Sequence, residues 1–203
     1  MENAVKNLGI FGGTFDPIHL GHIGCAEAAA DAFNIDEIWF IPANHPNFKQ
    51  DNDICDIAHR IKMCELALKD HRNDKFCVSD MEAKREGITY TSDTLEILHS
   101  DYPDTNLFFI TGTDAVFGLS NWHNADKILE LVTIIAVTRK GFFKPSEQQK
   151  QFLDEHSQKI KLIEADVIGA SSSEIRHFIQ KGKNIEDFVP KSVIEYIAEN
   201  NLY

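Results

Sequence analysis

Short runs of apolar residues recur along this chain, and longer segments that mix apolar and polar residues separate them. The runs predict six buried β-strands, at residues 8–11, 37–42, 76–78, 107–111, 132–138 and 160–163. Strands that alternate with helices predict an α/β fold with a doubly wound parallel sheet, because parallel neighbours need crossover connections. We therefore expect one sheet with helices on both of its faces.

The segments between the runs predict the helices. The first is the alanine-rich stretch 24–33, and a polar helix is predicted from Ser146 to His156. Another is predicted to place four residues on one face, namely Ile57, Ile61, Cys64 and Leu68. Side chains that can cap the start of a helix are Thr91, Ser92 or Asp93, and later Ser171, Ser172 and Ser173.

Polar residues follow four of the predicted strands at their carboxyl ends. They are Gly12-Gly13-Thr14, Pro42-Ala43-Asn44, Gly112-Thr113-Asp114 and Arg139. Ligands of open parallel sheets bind beyond the carboxyl ends of the strands, where the strand order reverses, so these residues predict a ligand site. Asp114 is interpreted as an acceptor for ribose hydroxyls or as a helix N-cap. Arg139 is interpreted as a phosphate contact or as a solvated side chain.

The first of these clusters leads into two histidines, His19 and His22. Gly12-Gly13 lets the backbone turn tightly and approach a phosphate closely. The histidines are three residues apart, so they project from one side of a helix start, beside its unpaired N–H groups. Two imidazoles that donate to phosphate oxygens favour phosphoryl or nucleotidyl transfer. The alternative is that the glycines only form a turn and the histidines only cap a helix.

A second anion site is predicted near residue 171. Ser171, Ser172 and Ser173 offer hydroxyl and backbone donors at a helix start, and Arg176 adds a positive charge within the next turn. One site can then hold the nucleoside and α-phosphate of ATP, and the other can hold its β- and γ-phosphates. The alternative is an ordinary N-cap beside a surface arginine.

Composition and charge narrow the class of protein. The 203 residues suffice for a single domain over 1–203, with a C-terminal helical part from about residue 171. The formal net charge of −12 disfavours a nucleic-acid partner. No run resembles a signal peptide or a membrane span, so we expect a cytoplasmic protein without a membrane partner. The cysteines lack metal-ligand spacing and are expected to be reduced.

Several of these motifs resemble those of a known family. Residues 12–22 (GGTFDPIHLGH) are similar to the signature of the nucleotidylyltransferase superfamily, whose HxGH element class I aminoacyl-tRNA synthetases share. The chain is too short for a synthetase. Residues 170–176 (ASSSEIR) resemble the superfamily's ISSTxIR triphosphate motif, with Ala170 and Ser173 as departures. Further blocks are similar to bacterial nicotinate-nucleotide adenylyltransferases, namely residues 90–95 (YTSDTL), Gly112-Thr113-Asp114, Trp122 and 188–203.

This resemblance implies a Rossmann-like nucleotidylyltransferase fold and a step of NAD biosynthesis. ATP, with Mg²⁺, would transfer its adenylyl group to nicotinate mononucleotide and give deamido-NAD and pyrophosphate. The implied catalytic residues are His19, His22, Lys49 and Arg176. The implied ATP-binding residues are Gly12, Gly13, Thr14, Phe15, His19, Gly21, His22, Gly112, Asp114, Ser171, Ser172, Ser173, Ile175 and Arg176. The implied substrate-binding residues are Asn44, Lys49, Tyr90, Thr91, Thr94, Arg139 and Trp122, the last stacked on the pyridine ring.

One segment departs from the family pattern. Where the family has Pro-Pro-His-Lys or Pro-Pro-His-Arg, this chain has Pro46-Asn47-Phe48-Lys49. Lys49 keeps the basic residue, Phe48 replaces the histidine, and the nearby His45 offers a substitute for it. Two alternatives stay open: another nucleotidylyltransferase, with nicotinamide mononucleotide or phosphopantetheine as acceptor, and a non-catalytic nucleotide sensor. A homo-oligomer also stays open.

Overall fold

The computed structural model describes residues 5–44, 54–141 and 144–203. Its strands are β1 (Asn7–Gly13), β2 (Glu37–Pro42), β3 (Phe76–Val78), β4 (Asn106–Gly112), β5 (Thr133–Arg139) and β6 (Ile160–Ala165). They form one parallel sheet in the order β3-β2-β1-β4-β5-β6. The six predicted strands and the parallel sheet are confirmed.

Helices cover both faces of this sheet. In the described ranges they are α1 (Leu20–Phe33), α2 (Ile57–His71), α3 (Thr91–Asp101), α4 (Thr113–Phe117), α5 (Ala125–Leu131), α6 (Glu147–Glu155), α7 (Ser172–Gln180) and α8 (Lys191–Glu199). One hydrophobic core joins α1, α2, α7 and α8 to one face, and a second joins α3 to α6 to the other. The fold is therefore doubly wound, as predicted. None of these helices is both long and apolar enough to span a membrane.

The strand order decides where a ligand can bind. From β1 the chain adds β2 and β3 on one side, and it then crosses over to add β4, β5 and β6 on the other. The order therefore reverses between β1 and β4, whose carboxyl ends carry Gly12-Gly13 and Gly112. A crevice forms at such a point, because the connections leave the two strands in opposite directions.

Local hydrogen bonds explain where three helices begin. Ser146 and Ser171 each accept a hydrogen bond from the third helical residue, and that residue's side chain accepts in return, so both are N-caps of capping boxes. The predicted helix starts at these serines are confirmed. His19 caps α1 in the same way, so the helix starts at the histidine pair, as their spacing predicts, and continues through the predicted stretch 24–33.

One local prediction about the helices is wrong, and another misses a residue of the core. The helix α3 begins at Thr91 itself, after Tyr90, and no side chain caps it, so Thr91, Ser92 and Asp93 lie inside the helix. The four residues predicted to share one face all lie on α2, where Cys64 and Leu68 are buried and Ile57 and Ile61 are partly buried. Arg60 also takes a core position. Distant backbone carbonyls accept its hydrogen bonds, and helical spacing alone carries no information about them.

Candidate active site

Two cavities open where β1 and β4 end, and they share the Gly12-Gly13 turn and Thr111 in their walls. The larger, of about 680 Å³, is lined by His19 and His22, and we call it the histidine cleft. The smaller, of about 280 Å³, is lined by Trp122, and we call it the tryptophan pocket. Neighbouring cavities with a common wall suit two ligands that react with each other.

The glycines of the shared turn stand where larger residues would meet buried rings. A Cβ on Gly13 would be 3.0 Å from the Phe15 ring, and a Cβ on Gly12 would be 3.3 Å from the Phe109 ring. Both rings are almost completely buried and have little room to move. The backbone of the turn is thus pressed against the core on one side while its other side borders the cavities.

His19 and His22 form a reciprocal capping box at the start of α1. The backbone N–H of His22 donates to Nδ1 of His19 at 3.3 Å, and the backbone N–H of His19 donates to Nδ1 of His22 at 3.2 Å. The two rings stack with their centroids 3.6 Å apart. Because each Nδ1 accepts a hydrogen bond, the proton of each neutral ring resides on Nε2. Both Nε2 atoms are then donors suited to phosphate oxygens.

Burial keeps His19 uncharged. The residue is 8% exposed, and its lost hydration lowers the pKa of His19 from 6.5 to about 4. At neutral pH the ring therefore donates a hydrogen bond without adding a full positive charge. The N-terminus of α1 lies at the same end of the cleft and adds the positive end of the helix dipole.

This depressed pKa predicts a pH-dependent stability. Between pH 7 and 5 the unfolded chain takes up a proton at residue 19 and the folded chain does not, so the free energy of unfolding falls with the pH. For a pKa that moves from 6.5 to about 4, the loss at pH 5 is about 2 kcal/mol. Urea unfolding of the wild type and of His19→Asn at pH 7 and at pH 5 gives the loss of unfolding free energy in each protein. The asparagine keeps an N-cap acceptor. Equal losses in both proteins would contradict the prediction.

Gly21 allows the His19 ring and the chain at Ile168 to approach each other. A Cβ on Gly21 would be 2.7 Å from the carbonyl oxygen of Ile168 and 3.0 Å from Nδ1 of His19. The first distance is shorter than carbon and oxygen tolerate, and a backbone carbonyl cannot turn away as a flexible side chain can. A side chain at this position would therefore displace His19 or the backbone at Ile168.

We expect Gly21→Ala to lower turnover roughly tenfold or more, because a shift of about 1 Å in a catalytic donor has effects of that size. Alanine favours helices over glycine by about 1 kcal/mol, so helix propensity alone would predict a gain in stability. Gly24→Ala is the control on the same helix, since its Cβ would meet the Val167 side chain at 3.1 Å and no backbone atom closer than 4.0 Å. Steady-state kinetics of both variants test this, and wild-type turnover in Gly21→Ala would refute it.

Most residues predicted to bind ATP line the histidine cleft. These are Gly12, Gly13, Phe15, His19, Gly21, His22, Gly112, Asp114 and Ser171. Thr14 lines the tryptophan pocket instead, and Ile175 is fully buried in the core. Asp114 lies in the first turn of α4, whose N-cap is Gly112, so the interpretation of Asp114 as an N-cap is wrong.

The serines that were predicted to bind phosphate already have partners in the protein. The backbone N–H and the hydroxyl of Ser171 both donate to the Glu174 carboxylate at 2.8 Å. The Ser172 hydroxyl donates to the carbonyl of Pro17 at 3.0 Å, so it joins α7 to the loop before α1. A carboxylate of the chain itself thus occupies the Ser171 donors that the sequence assigned to a phosphate, and a backbone carbonyl occupies the Ser172 hydroxyl.

Arg176 is bound to the loop before α1. Its Nη1 donates to the backbone carbonyl of Asp16 at 2.7 Å and lies 3.5 Å from the Asp16 carboxylate. Its Nη2 is 3.4 Å from the Ser173 hydroxyl. The side chain is only 20% exposed, so the interpretation as a surface arginine is wrong. It is absent from the walls of the histidine cleft, and its contact with the triphosphate stays a prediction.

Asp16 connects this arginine to the C-terminal segment. The carboxylate is completely buried, and it accepts a hydrogen bond from the Tyr203 hydroxyl at 2.6 Å. Burial and the neighbouring carboxylate raise the pKa of Tyr203, so the hydroxyl keeps its proton and stays a donor. Asp16 therefore lies between Arg176 and Tyr203, two residues far from it in the sequence.

Aromatic rings form much of the tryptophan pocket. Trp122 packs edge-to-face on Phe109 with their ring centroids 5.9 Å apart, which holds the indole in place. Tyr90 stacks on His123 with centroids 4.2 Å apart. Flat faces around a small cavity suit a planar heteroaromatic ring. Of the residues predicted to bind the substrate, Tyr90, Thr91 and Trp122 line this pocket.

Glu82 adds a buried carboxylate to the same pocket. It is 7% exposed, and it accepts a hydrogen bond from the Thr94 hydroxyl at 2.7 Å. Arg85 donates to the same hydroxyl at 2.9 Å and to Asp93 at 3.1 Å. Burial raises the pKa of Glu82. Thr94, which was predicted to contact the substrate, lies outside the pocket walls and holds Glu82 instead.

Other residues predicted to contact the substrate lie elsewhere. The Asn44 amide donates to the carbonyl of Arg85 at 3.0 Å, and Asn44 is absent from the pocket walls. Arg139 lines the histidine cleft and packs directly against Gly169, in the space that a Cβ would fill. Outside the described residues lie His45, Phe48 and Lys49.

Arg60 is the main residue near the site that sequence reasoning missed. It is 1% exposed, and its guanidinium donates to the carbonyls of Thr14, Ala43, Asn44 and Cys55. Burial lowers the pKa of Arg60, but an arginine in a protein keeps its charge. The sequence does contain a signal for Arg60. It is a basic residue at a core position of α2, three positions before Met63. Glu82 carries no such signal, because its role depends on distant partners, whereas Tyr203 ends the block 188–203 that resembles the family.

Comparison with known proteins gives the family. The model of the cytidylyltransferase-like family matches residues 10–178. A probable nicotinate-nucleotide adenylyltransferase of Oceanobacillus iheyensis is 39% identical, over 98% of this chain and 97% of its own. Its counterpart in Lachnoclostridium phytofermentans is 37% identical, over 98% of this chain and 100% of its own.

Solved structures agree with these relatives. The nicotinic acid mononucleotide adenylyltransferase of Plasmodium falciparum complexed with APC has a TM-score of 0.79 at 25% identity, over 98% of this chain and 97% of that chain. The structure of that enzyme complexed with NaAD has a TM-score of 0.78 at 26% identity, with the same coverage. Sequence and fold thus agree over nearly the whole length. The chain belongs to the nicotinate-nucleotide adenylyltransferase family, within the cytidylyltransferase-like proteins.

Proposed function

We propose that this chain transfers the adenylyl group of ATP to nicotinate mononucleotide and releases pyrophosphate. The observation that carries the proposal is the pair of cavities that meet at the Gly12-Gly13 turn. One side offers two imidazole Nε2 donors, and the other offers an aromatic pocket. ATP occupies the histidine cleft, the pyridine ring occupies the tryptophan pocket, and the two reacting phosphates meet at the turn.

The reaction makes one bond to phosphorus and breaks another. An oxygen of the mononucleotide phosphate bonds to the α-phosphorus of ATP. The bond between that phosphorus and the oxygen that bridges the α- and β-phosphates breaks, so pyrophosphate leaves with the electron pair. The attacking phosphate is already an anion at neutral pH and needs no general base. Catalysis then consists of positioning the substrates and stabilising the charge that develops on phosphate oxygens.

The residues around the turn have separate roles in this proposal. His19, as a neutral ring, and His22 donate from Nε2 to phosphate oxygens, and the N-terminus of α1 adds the positive end of its dipole. Lys49 and Arg176 offset the charge of the transferred and leaving phosphates. Arg176 is bound to Asp16 in the loop before α1, so this loop connects the arginine to the histidine pair.

Mg²⁺ enters with ATP and belongs to the substrate. Within residues 5–44, 54–141 and 144–203, no group of three or more His, Cys, Asp or Glu side chains is arranged to hold a metal ion. Phosphate oxygens are hard ligands of the kind that Mg²⁺ prefers. We therefore assign the ion to the triphosphate rather than to protein side chains.

The start of α3 supports nicotinate as the acceptor. No side chain caps this helix, and Tyr90 and Thr91 at its start line the tryptophan pocket. A carboxylate at a helix N-terminus accepts hydrogen bonds from backbone N–H groups and gains about 0.3–1 kcal/mol from the helix dipole. The nicotinate carboxylate would act as the missing cap of α3.

Nicotinamide mononucleotide is the second candidate acceptor, and one observation favours it. The Glu82 carboxylate lines the same pocket, where it would repel a second carboxylate and accept a hydrogen bond from a carboxamide. The hydrogen bond from Thr94 satisfies one oxygen of Glu82 and reduces this repulsion. The two acceptors must therefore be compared directly.

The test is pyrophosphate release from ATP and Mg²⁺, with three acceptors at equal concentration. These are nicotinate mononucleotide, nicotinamide mononucleotide and phosphopantetheine. We expect strong preference for the nicotinate acceptor. Preference for the amide would assign the chain to nicotinamide mononucleotide, and preference for phosphopantetheine would overturn the pyridine assignment. ATP binding without release with any acceptor would favour a nucleotide sensor.

A further inference from the structure

Arg60 lies beneath the loops that form both cavities, and it contacts them through backbone carbonyls. It is the largest side chain among those below 2% exposure. Its Nη1 donates to the carbonyls of Thr14 at 2.9 Å and Ala43 at 2.7 Å. Its Nη2 donates to the carbonyl of Asn44 at 3.2 Å, and its Nε donates to that of Cys55 at 2.8 Å. One rigid guanidinium thus holds several segments at fixed distances.

The bound carbonyls belong to two loops of the site. Thr14 follows β1 and leads to the histidine pair, whereas Ala43 and Asn44 follow β2. Thr14 and Ala43 both line the tryptophan pocket. The Asn44 amide continues the connection, because it donates to the carbonyl of Arg85 in the segment that leads to Tyr90. Arg60 therefore sets the spacing between the loop before the histidines and the loops around the tryptophan pocket.

Stability is a poor explanation for an arginine at this position. Moving a guanidinium from water into the core is costly, and the nearby buried Asp16 carboxylate, which offsets part of its charge, also pairs with Arg176. The neighbouring core positions of α2 hold apolar side chains such as Met63 and Ala67, which carry no such cost. What distinguishes Arg60 from an apolar residue is its planar fork of donors, which can hold several carbonyls at once.

We propose that Arg60 is a positioning residue that holds the two substrates at the separation that in-line transfer requires. The inference rests on the proposed function and deepens it. Arg60 is absent from the walls of both cavities, so it acts through the loops and not on a substrate. Its replacement should leave each substrate able to bind alone and should slow the reaction of the two together, because a misplacement of about 1 Å costs about 10²-fold in rate.

Arg60→Lys tests this, because it keeps the charge and the length but loses the planar fork. We expect kcat to fall about 30-fold or more, while the Kd values of MgATP alone and nicotinate mononucleotide alone change less than about threefold. Calorimetric titrations give the Kd values, and thermal unfolding gives the folded fraction. Arg72→Lys, at the exposed C-cap of the same helix, is the matched control and should behave as the wild type.

Arg60→Gln is the second variant if the lysine variant does not fold, since its planar amide keeps two donors for the carbonyls. A fall in kcat with both Kd values retained, in either folded variant, supports the proposal. Wild-type kcat in a folded variant overturns the proposal. A fall in activity that is explained entirely by one weakened Kd, or by a smaller folded fraction, overturns it as well. A wild type that shows no turnover in the same assay would refute the proposed function, which is a different result.

Discussion

His22→Asn is expected to lower turnover roughly tenfold or more while the fold stays intact. The asparagine Oδ1 takes the place of Nδ1 and keeps the hydrogen bond from the backbone N–H of His19, so the capping box persists. The variant lacks the Nε2 donor. Removal of one preorganised donor to a developing negative charge typically costs 10²- to 10³-fold in rate. Pyrophosphate release at saturating substrates measures the effect.

One further variant separates the capping hydrogen bond of His22 from its Nε2 donor, and another is a control. His22→Ala loses both, so its turnover should fall as far as that of His22→Asn, and its stability should fall by about 1 kcal/mol more. His99→Asn, on the exposed face of α3, is the control for the same substitution away from the site and should match the wild type. Wild-type turnover in folded His22→Asn would remove this histidine from the mechanism.

Asp16→Ala is expected to lower the free energy of unfolding by about 3 kcal/mol, since the loss of one partner from a buried ion pair has effects of that size. The carboxylate is completely buried, lies 3.5 Å from Nη1 of Arg176 and accepts from the Tyr203 hydroxyl. Without it, both groups lose a partner in a region with little water. The same change should raise the KM for ATP, because Arg176 then loses its link to the loop before α1.

Tyr203→Phe is the matched variant for this stability prediction. It keeps the ring and removes only the hydroxyl that donates to Asp16, so we expect a loss of about 1 kcal/mol, typical of one hydrogen bond. Urea unfolding curves of both variants at pH 7 give the two free energies. If Asp16→Ala proved as stable as the wild type, the buried carboxylate would hold neither Arg176 nor Tyr203 in place.

The strands were predictable from sequence because their surroundings are simple. Strands such as β4 and β5 are buried on both faces of the parallel sheet, so their residues form nearly continuous apolar runs. The starts of α6 and α7 were predictable for a related reason. Their capping boxes join residues three apart, and such local hydrogen bonds leave a recognisable pattern.

The candidate site was predictable in part. The His19 and His22 spacing was enough to bring both rings to one cavity, because a helix start sets their relation within one turn. Thr94 and Asn44 were assigned to the substrate, but in the structure their side chains bind Glu82 and a backbone carbonyl. A motif can show that a polar side chain matters without showing whether its partner is a ligand or the protein.

The sequence by itself determined the α/β alternation, the parallel sheet, the glycine turn with its two histidines and the family. All of these depend on burial patterns, local hydrogen bonds or contiguous motifs. Only the tertiary structure decided that Arg60 is buried, that Asp16 meets Tyr203 across 187 positions, and that two cavities share one turn. Such contacts depend on how the helices fold back over the sheet, and partners far apart in the chain leave no periodic signal in it.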